Sequence, residues 1–441
     1  MKYKFSNVRV PIDKDNVSIC RKESLCIKCG ACKNVCSFNV GVYGNYDLNK
    51  VNKAICVNCG QCSLVCPTKS ISEVNDYSKL KKLMKNNKIK VFQIAPAVRA
   101  SLGEEFGIEI GTNVEGKIVT ALKKLGADYV FDTTFGADLT IMEEANELVD
   151  RIKNKKVLPM FTSCCPAWVK FVETFYPEFI PNLSSCKSPI LMQGAIIKNY
   201  FAELNNINKK KIITVAVTPC TAKKYEIKRE EFNNDIDFVI TTRELANWIR
   251  EEKINFNKLK DSKFDNIMSR GSGAGIIFGN SGGVMESALR TADYILTGKK
   301  NVLKIEDTRG FINIKESVVK IGEYKLKVAV INGTGDAKKI LEKLKAGEVN
   351  YDFIEVMGCE GGCIAGGGQP RVHFPVTGEI KRKRKDCLFE LDDNCKLRYS
   401  YENPDIIKLY DEYLEKPLSK KSKDILHTHY VNRSKDLKNK K

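Results

Sequence analysis

Eight cysteines near the N-terminus stand in two copies of one spacing, C-x2-C-x2-C-x3-C. They are Cys26, Cys29, Cys32 and Cys36 in the first copy and Cys56, Cys59, Cys62 and Cys66 in the second. Thiolates in this run hold [4Fe–4S] clusters, and the fourth cysteine of each copy reaches the cluster of the other copy. We therefore predict one cluster on Cys26, Cys29, Cys32 and Cys66 and a second on Cys56, Cys59, Cys62 and Cys36. Two zinc sites are the alternative, but three thiolates this close in sequence are too tightly packed for usual zinc spacing.

Five further cysteines occur later in the chain, in three segments that each follow an apolar stretch. They are Cys164, Cys165, Cys220, Cys359 and Cys363. The apolar stretches predict strands, and the carboxyl ends of parallel strands are where α/β proteins gather their ligands. Five glycines follow Cys359, so the backbone there can approach a bulky group closely. One cysteine from the first segment, one from the second and two from the third make four thiolates, enough for a third cubane.

The total cysteine content favours metal ligation over disulfide bonding. The chain has 17 cysteines, an odd number, and its first residues lack the apolar core of a secretory signal. Disulfides are rare in the reducing cytosol, so we expect a cytoplasmic protein whose thiols bind metal. The three histidines, His373, His427 and His429, are expected to be structural. Cys20 and Cys186 lie outside both patterns, and we predict that both are buried thiols.

The charge of the chain is strongly basic. Lys and Arg number 73 against 54 Asp and Glu among 441 residues, which gives a formal charge of +19. A surface this basic can bind nucleic acid or an acidic protein. The alternative is that the lysines are only solvated and bind no partner. The basic residues are spread along the chain, and thiolate-bound clusters add negative charge that the formal count omits. We therefore predict an acidic redox protein as the partner, and no nucleic acid.

No apolar run of about 18 residues is present, so we expect no membrane span.

Strand-like and helix-like segments alternate in the middle of the chain. Short apolar runs rich in β-branched or aromatic residues predict buried strands at residues 90–95, 129–133, 158–162, 212–218 and 327–331. Helical patterns are predicted at residues 76–88, 116–124, 139–153 and 405–414. Alternation of this kind is typical of mainly parallel sheets. The strands fall into two groups, which predicts two α/β lobes.

The three later cysteine segments resemble the three signature motifs of the [FeFe] hydrogenases, in the same order. The segments are residues 162–168 (TSCCPAW), 218–226 (TPCTAKKYE) and 355–370 (EVMGCEGGCIAGGGQP). Residues 93–106, 131–145, 278–290 and 426–430 also look like segments of that family. The resemblance runs from about residue 20 to residue 430, nearly the whole chain. It implies an α+β and α/β multidomain fold: a two-[4Fe–4S] ferredoxin-like domain at 1–75, a two-lobed α/β H-cluster domain at 76–380, and a helical C-terminal extension, like the family's small subunit, at 381–441.

The family's cofactor, the H-cluster, is a [4Fe–4S] cubane joined through a cysteine sulfur to a diiron subsite that carries CO, cyanide and azadithiolate. The resemblance implies that the cubane is held by Cys165, Cys220, Cys359 and Cys363. Of these, Cys363 would bridge to the diiron subsite. Lys223 would donate to a cyanide, since an ammonium is a compact donor suited to an anion. Met357 would pack near the bridging ligand, and Pro96 and Ala97 would supply backbone near the other cyanide.

Cys164 stands beside a ligand, yet the resemblance assigns it to proton relay rather than to iron. A thiol with its ordinary pKa near 8.5 can exchange protons near neutral pH. Glu144, Glu147 and Arg151 share one predicted helix face, and together with Ser184 they match the family's proton channel by position. Apart from the resemblance, such a stripe is typical of a solvated helix face.

These features predict a monomeric [FeFe] hydrogenase, an oxidoreductase that reversibly reduces protons to H2. Electrons would be exchanged with ferredoxin or a similar acidic carrier through the [4Fe–4S] clusters, and the diiron site implies maturation proteins as further partners. An H2 sensor or an iron–sulfur assembly protein without significant turnover is the alternative, which Cys164, Lys223 and Met357 disfavour.

Three positions depart from the family's usual residues. Thr218 precedes the proline of the second motif, Gly358 precedes Cys359, and Ile190 follows a Ser-Pro pair. The resemblance implies that all three lie near the diiron subsite. We therefore expect altered packing around that subsite, with the cubane ligands retained.

Overall fold

The computed structural model describes residues 8–266, 268–300 and 313–438. Its strands are β1 (Ile19–Arg21), β2 (Ile71–Glu73), β3 (Ile89–Ile94), β4 (Tyr129–Asp132), β5 (Met160–Phe161), β6 (Ile212–Thr218), β7 (Phe238–Thr241), β8 (Ile314–Ile321), β9 (Tyr324–Asn332) and β10 (Phe353–Met357). Its α-helices are α1 (Ala31–Phe38), α2 (Gln61–Leu64), α3 (Tyr77–Leu83), α4 (Pro96–Arg99), α5 (Glu115–Lys124), α6 (Thr133–Lys153), α7 (Pro166–Phe175), α8 (Pro189–Ile196), α9 (Ala202–Leu204), α10 (Ala222–Glu226), α11 (Thr242–Glu251), α12 (Gly273–Ile276), α13 (Gly283–Thr297), α14 (Thr334–Lys345), α15 (Gly378–Asp393), α16 (Pro404–Leu409) and α17 (Lys420–Leu426). None of these helices is both long and apolar enough to cross a membrane.

Two four-stranded sheets form the centre of the fold. The first has the strand order β4-β3-β6-β7, and all of its strands are parallel. The second has the order β5-β10-β9-β8, in which β8 runs antiparallel to β9. The predicted, mainly parallel α/β arrangement is confirmed, and the five predicted strands are present with bounds that differ by a few residues at most.

The central strands are buried on both faces because helices cover both sides of each sheet. All seven residues of β6 and all five of β10 are buried, which explains why these strands are continuous apolar runs. Helices α5 and α11 pack on one face of the first sheet through Ile118 and Leu245. Helix α8 packs against Val91 and Phe131 of the same sheet through Met192.

Helix α6 connects the first sheet to the second and spans 21 residues. The side chain of Asp132 caps its start by accepting a hydrogen bond from the Thr134 N–H at 3.0 Å. Asp132 is held in turn by Arg99, whose guanidinium lies 2.6 Å from its carboxylate. The helix therefore begins at Thr133, before the predicted segment 139–153, and most of its residues are buried.

The C-terminal segment packs onto the sheets and their helices through buried polar pairs. Arg384 of α15 donates to Glu104 at 2.7 Å, and both side chains are 1% exposed. The Tyr410 hydroxyl donates to Glu143 of α6 at 2.6 Å. The helix predicted at 405–414 is present, but its second half, Tyr410–Leu414, is wound as a π-helix.

Candidate active site

Loops from both sheets line one cavity with about 770 Å³ of empty space. These loops follow the carboxyl ends of β3, β5, β6 and β10. The cavity is lined by all five cysteines of the three later segments, Cys164, Cys165, Cys220, Cys359 and Cys363. Thiols that are nearly 200 residues apart in the sequence therefore line the same cavity. This agrees with the prediction that the motifs lie together at the carboxyl ends of the strands.

The other predicted cofactor contacts line the same cavity. They are Lys223, Met357, Pro96 and Ala97. Pro96 takes the first position of α4. The N–H at this position makes no hydrogen bond within a helix, so proline can start the helix here, at the cavity wall, at no cost. Thr218, Gly358 and Ile190, the three positions that depart from the family pattern, are also lining residues. Sequence reasoning did not identify Thr133, Ala137 and Phe278 as lining residues, although they fall within segments that looked like the family's.

The four thiols assigned to the cubane have surroundings suited to an iron–sulfur cluster. The Gly358 N–H donates to Cys165 Sγ at 3.3 Å, the kind of backbone donor that tunes cluster sulfurs. A Cβ on Gly358 would lie 3.2 Å from the same sulfur, so glycine leaves this side of Cys165 uncrowded. All cysteines in the described part of the chain are free thiols. The donor set therefore fits a thiolate-held cubane.

Lys223 points an ammonium group towards the cavity. Its Nζ donates to the Cys164 carbonyl oxygen at 3.0 Å and to Glu226 Oε1 at 3.0 Å. Burial is the largest influence on the pKa of Lys223 and lowers it, but the charge and hydrogen bond of Glu226 together with the nearby Cys220 and Cys164 thiols outweigh burial, and the pKa is raised. Lys223 is therefore a fixed cation at the cavity wall. Sequence reasoning missed Glu226, although its i, i+3 spacing from Lys223 was a usable signal.

The half-buried Cys164 thiol and the buried Glu144 carboxyl group lie close enough beside the cavity for their charges to interact. Burial raises the pKa of the Cys164 thiol well above its ordinary value, and the nearby Glu144 carboxylate adds to this rise. The expectation of an ordinary thiol pKa near 8.5 is therefore wrong, because it ignored desolvation. Burial, followed by the charge of Glu147, raises the pKa of Glu144 to about 8. The Ser184 hydroxyl lies near enough to Glu144 to lower its pKa in part, but neither Glu144 oxygen has a hydrogen-bond partner of good geometry among the described residues. Glu144 is thus a neutral carboxylic acid at pH 7.

Glu147 lies on the solvent side of Glu144. Its Oε2 accepts a hydrogen bond from the Ser184 hydroxyl at 3.0 Å, and its Oε1 accepts one from Arg151 Nη2 at 2.6 Å. Glu144, Glu147 and Arg151 are 1%, 8% and 8% exposed, so the alternative of a solvated helix face is wrong. Glu147 and Arg151 also line a second cavity, which we call the vestibule, with about 650 Å³ of empty space open to solvent.

The N-terminal cysteines line two smaller cavities. One is lined by Cys26, Cys29, Cys32 and Cys66, and the other by Cys36, Cys56, Cys59 and Cys62. These are the two predicted ligand sets, each with three cysteines from one run and the fourth from the other. Cys20 of β1 is exposed, so the prediction of a buried thiol is wrong. The reason is that β1 pairs only with β2 among the described strands and is therefore an edge strand. Cys186 is buried, as predicted.

The second cysteine run packs directly against the loop that follows Cys363. Gln61 Nε2 donates to the Ala365 carbonyl at 2.9 Å, and the Ser63 hydroxyl donates to the Gly367 carbonyl at 3.0 Å. A Cβ on Gly367 would collide with the Cys59 carbonyl oxygen, so the two backbones meet where only glycine fits. Cys59 lies close enough to Cys359 for their charges to interact. The set that contains Cys59 is therefore the one next to the large cavity.

Comparison with known proteins identifies the chain's relatives. Residues 88–367 match the family described as iron only hydrogenase large subunit, C-terminal domain. Residues 378–433 match iron hydrogenase small subunit, and residues 50–72 match a 4Fe-4S binding domain. The chain is 43% identical to Iron hydrogenase 1 of Clostridium pasteurianum over 95% of its own length and 77% of that protein's.

A more distant relative is an assembly protein, whereas a matching solved structure is that of an [FeFe]-hydrogenase. A cytosolic Fe-S cluster assembly factor, narfl, of Danio rerio is 30% identical over 78% of this chain and 86% of its own. The solved structure of a variant of the apo [FeFe]-hydrogenase HydA1 from Chlamydomonas reinhardtii superimposes with a TM-score of 0.73 at 40% identity. The superposition covers 82% of this chain and 100% of that one. With the thiol-lined cavity and the three motifs, these matches show that the chain belongs to the iron-only, or [FeFe], hydrogenase family.

Proposed function

We propose that this chain catalyses the reversible reduction of two protons by two electrons to H2, at an H-cluster in the large cavity. The observation that carries the proposal is that five cysteines, Lys223 and Met357 line one cavity, and that Cys164 connects its wall to buried carboxyl groups. Cys165, Cys220, Cys359 and Cys363 would hold the cubane, and Cys363 would bridge to the diiron subsite. When bound, the H-cluster would supply the iron position at which protons and H2 interconvert, and the two electrons would come from the external donor.

Protein side chains move the proton between this cavity and solvent. Cys164 would pass its proton into the cavity and take the next proton from neutral Glu144. Ser184 and Glu147 pass the next proton inward, and Arg151 holds the Glu147 carboxylate at the vestibule. Lys223, fixed by Glu226, would hold an anionic ligand of the diiron subsite, and Met357, Pro96 and Ala97 would form the cavity wall around that subsite.

Electrons follow the two N-terminal cysteine sets. Cys29 is exposed, which makes the set of Cys26, Cys29, Cys32 and Cys66 the entry point. The set of Cys36, Cys56, Cys59 and Cys62 lies between it and the cavity, and the Cys59 backbone touches the loop after Cys363. The proposed domains accordingly are 1–75 for electron transfer, 76–380 for catalysis and 381–441 as a helical extension. We further propose that the protein acts as a cytoplasmic monomer that depends on maturation proteins for its diiron subsite.

H2 evolution from reduced methyl viologen tests this function. The protein would be purified anaerobically and compared in two forms, with all clusters and with cubanes only. We expect sustained H2 evolution from the fully loaded form and none from the form without the diiron subsite. If the fully loaded form, checked by its CO and cyanide infrared bands, evolved no H2, the chain would instead be a sensor or an assembly protein, as in the alternative above.

The proposed electron partner is an acidic ferredoxin-like carrier. Lys28 is exposed directly before the exposed Cys29, and Lys22 is exposed earlier in the same segment, so the entry point presents positive charge. Opposite charges speed the encounter, and salt screens them. We expect the rate of electron exchange with reduced ferredoxin to fall as ionic strength rises, and to fall further in Lys28→Glu, while the viologen rate of that variant is unchanged. A ferredoxin rate that did not respond to salt would contradict charge steering.

A further inference from the structure

Three metal-binding side chains from separate elements meet beside the proposed proton path. They are Glu147 of α6, Cys186 in the loop before α8, and His427 at the end of α17. One ligand atom from each lies within 4.8 Å of the other two, and none of the three is exposed. Cys186 and His427 are held together by a backbone bridge, so their approach is built into the fold.

The hydrogen bonds around this cluster leave one ligand atom of each residue facing the shared centre. Arg151 binds Glu147 through Oε1. Glu147 Oε2 accepts hydrogen bonds from the Ser184 hydroxyl and the Ser185 N–H, both at 3.0 Å, and from the Cys186 thiol at 3.8 Å. His427 Nε2 lies 3.0 Å from Glu143 Oε2, so Nδ1 faces inward, 2.8 Å from the Ser185 hydroxyl. That hydroxyl also donates to Glu147 Oε2 at 3.1 Å and thus marks the centre of the cluster.

This arrangement is that of a small zinc site. Zinc prefers four ligands from cysteine, histidine and carboxylate side chains. A zinc-bound histidine almost always donates its other ring N–H to a carboxylate, a backbone carbonyl or water, and Glu143 is placed to be that partner. Glu143 also accepts hydrogen bonds from Tyr410 and Ser422, so its position is fixed independently of the histidine.

We propose that this hydrogenase binds a zinc ion through Glu147 Oε2, Cys186 Sγ and His427 Nδ1, with water or the Ser185 hydroxyl as the fourth ligand. The ion enters through the vestibule, which Glu147 and Ser185 line. Binding replaces the hydrogen bonds of the Ser185 hydroxyl. It releases two protons to solvent, one from the Cys186 thiol and one that His427 Nδ1 donates to that hydroxyl. The thiolate and the Glu147 carboxylate balance the two charges of zinc, while Arg151 and Glu143 offset each other.

A zinc ion at this position would stop proton delivery. This consequence rests on the proposed function, since it requires that protons pass through Glu147. Bound zinc would occupy the carboxylate oxygen that accepts the Ser184 hydroxyl. Free zinc would therefore inhibit turnover reversibly. The inhibition would act on the proton path, at a site away from the H-cluster.

The first test is binding of zinc alone to the fully loaded enzyme, in which the cluster cysteines are already occupied. Equilibrium dialysis with metal analysis would count the ions, and zinc-edge X-ray absorption would identify the ligands. We expect one zinc per chain, with one sulfur at about 2.3 Å and nitrogen or oxygen at about 2.0–2.1 Å. Cys186→Ala should remove the sulfur signal, and both Cys186→Ala and His427→Gln should weaken binding at least tenfold.

Matched variants separate this site from adventitious binding. His429→Gln changes an exposed histidine two residues away, and Cys387→Ala removes another buried thiol; both should bind zinc as the wild type does. Glu143→Gln should weaken binding about 10- to 100-fold, the usual effect of losing an outer carboxylate. Equal zinc binding by the wild type, Cys186→Ala and His427→Gln would overturn the proposal.

Turnover provides an independent measurement. Zinc should inhibit viologen-driven H2 evolution by the wild type, a chelator should restore the rate, and His427→Gln should be inhibited only at zinc concentrations at least tenfold higher. Zinc that binds with the expected ligands but leaves the rate unchanged would support the site and contradict the proton path through Glu147. The two proposals therefore fail in different ways.

Discussion

Replacing Cys164 by alanine is expected to lower H2 evolution by about 10²- to 10⁴-fold, the usual contribution of a positioned proton donor. Cys164 lines the large cavity and interacts with Glu144, so it is the side chain that joins the cavity to the buried carboxyl groups. Alanine cannot carry a proton, and the Lys223 ammonium at the same wall is held by Glu226 and the Cys164 carbonyl oxygen. Initial rates with reduced viologen, normalised to the diiron content, would measure the loss.

The control is that the cofactor remains intact in this variant. Cys164 is not among the proposed ligands, so iron content and the infrared bands of CO and cyanide should match those of the wild type. Cys164→Asp keeps a protonatable group at the same position and should recover part of the rate. A Cys164→Ala protein with intact cofactor and more than a tenth of the wild-type rate would show that protons reach the cavity by another route.

Glu144→Gln is expected to lower turnover by about 10²-fold or more, because the amide cannot pass on a proton in the step that Glu144 supplies. Glutamine has nearly the same shape and is neutral, as Glu144 is at pH 7, since burial and Glu147 raise its pKa to about 8. The substitution therefore changes proton transfer while leaving the charge of the buried site the same. Glu144→Asp retains the acid and should lose less activity.

The pH dependence of the wild-type enzyme follows from the same group. Below about pH 8 Glu144 holds a proton that it can give to Cys164, and above that pH it is ionised. The rate of H2 evolution should therefore fall as the pH rises through about 8, and this inflection should be missing from the residual rate of Glu144→Gln. The same inflection in both proteins would mean that another group titrates, and that Glu144 is not the donor.

Cluster chemistry could be predicted from the sequence because ligand spacing within a cysteine run is a local property. A C-x2-C-x2-C segment wraps one face of a cubane whatever surrounds it, so the two N-terminal sets could be listed by residue. The strands at residues 212–218 and 129–133 were predictable for a similar reason, since buried parallel strands are continuous apolar runs. The position of Cys220 just beyond β6 followed from that strand alone.

Tertiary structure decided everything that depends on distant segments meeting. Strand β5 pairs with β10, almost 200 residues later, and this pairing brings Cys165 and Cys359 to one cavity. No local pattern specifies such a partner, because many parallel alignments of short apolar strands satisfy the same hydrophobic requirement. The meeting of Cys186 with His427 was hidden for the same reason, and the sequence suggested only a core thiol and a structural histidine.

The protonation states of Glu144 and Cys164 likewise depend on the fold. Glu144 and Cys164 have ordinary carboxyl and thiol groups in the sequence, and their spacing indicates only a shared region of the chain. Burial removes the water that stabilises their ionised forms, and this raises both pKa values. By itself, the sequence determined which side chains could bind iron and carry protons. The packing of α6 against the sheets determined which of them hold a proton at neutral pH, because desolvation depends on every neighbouring segment at once.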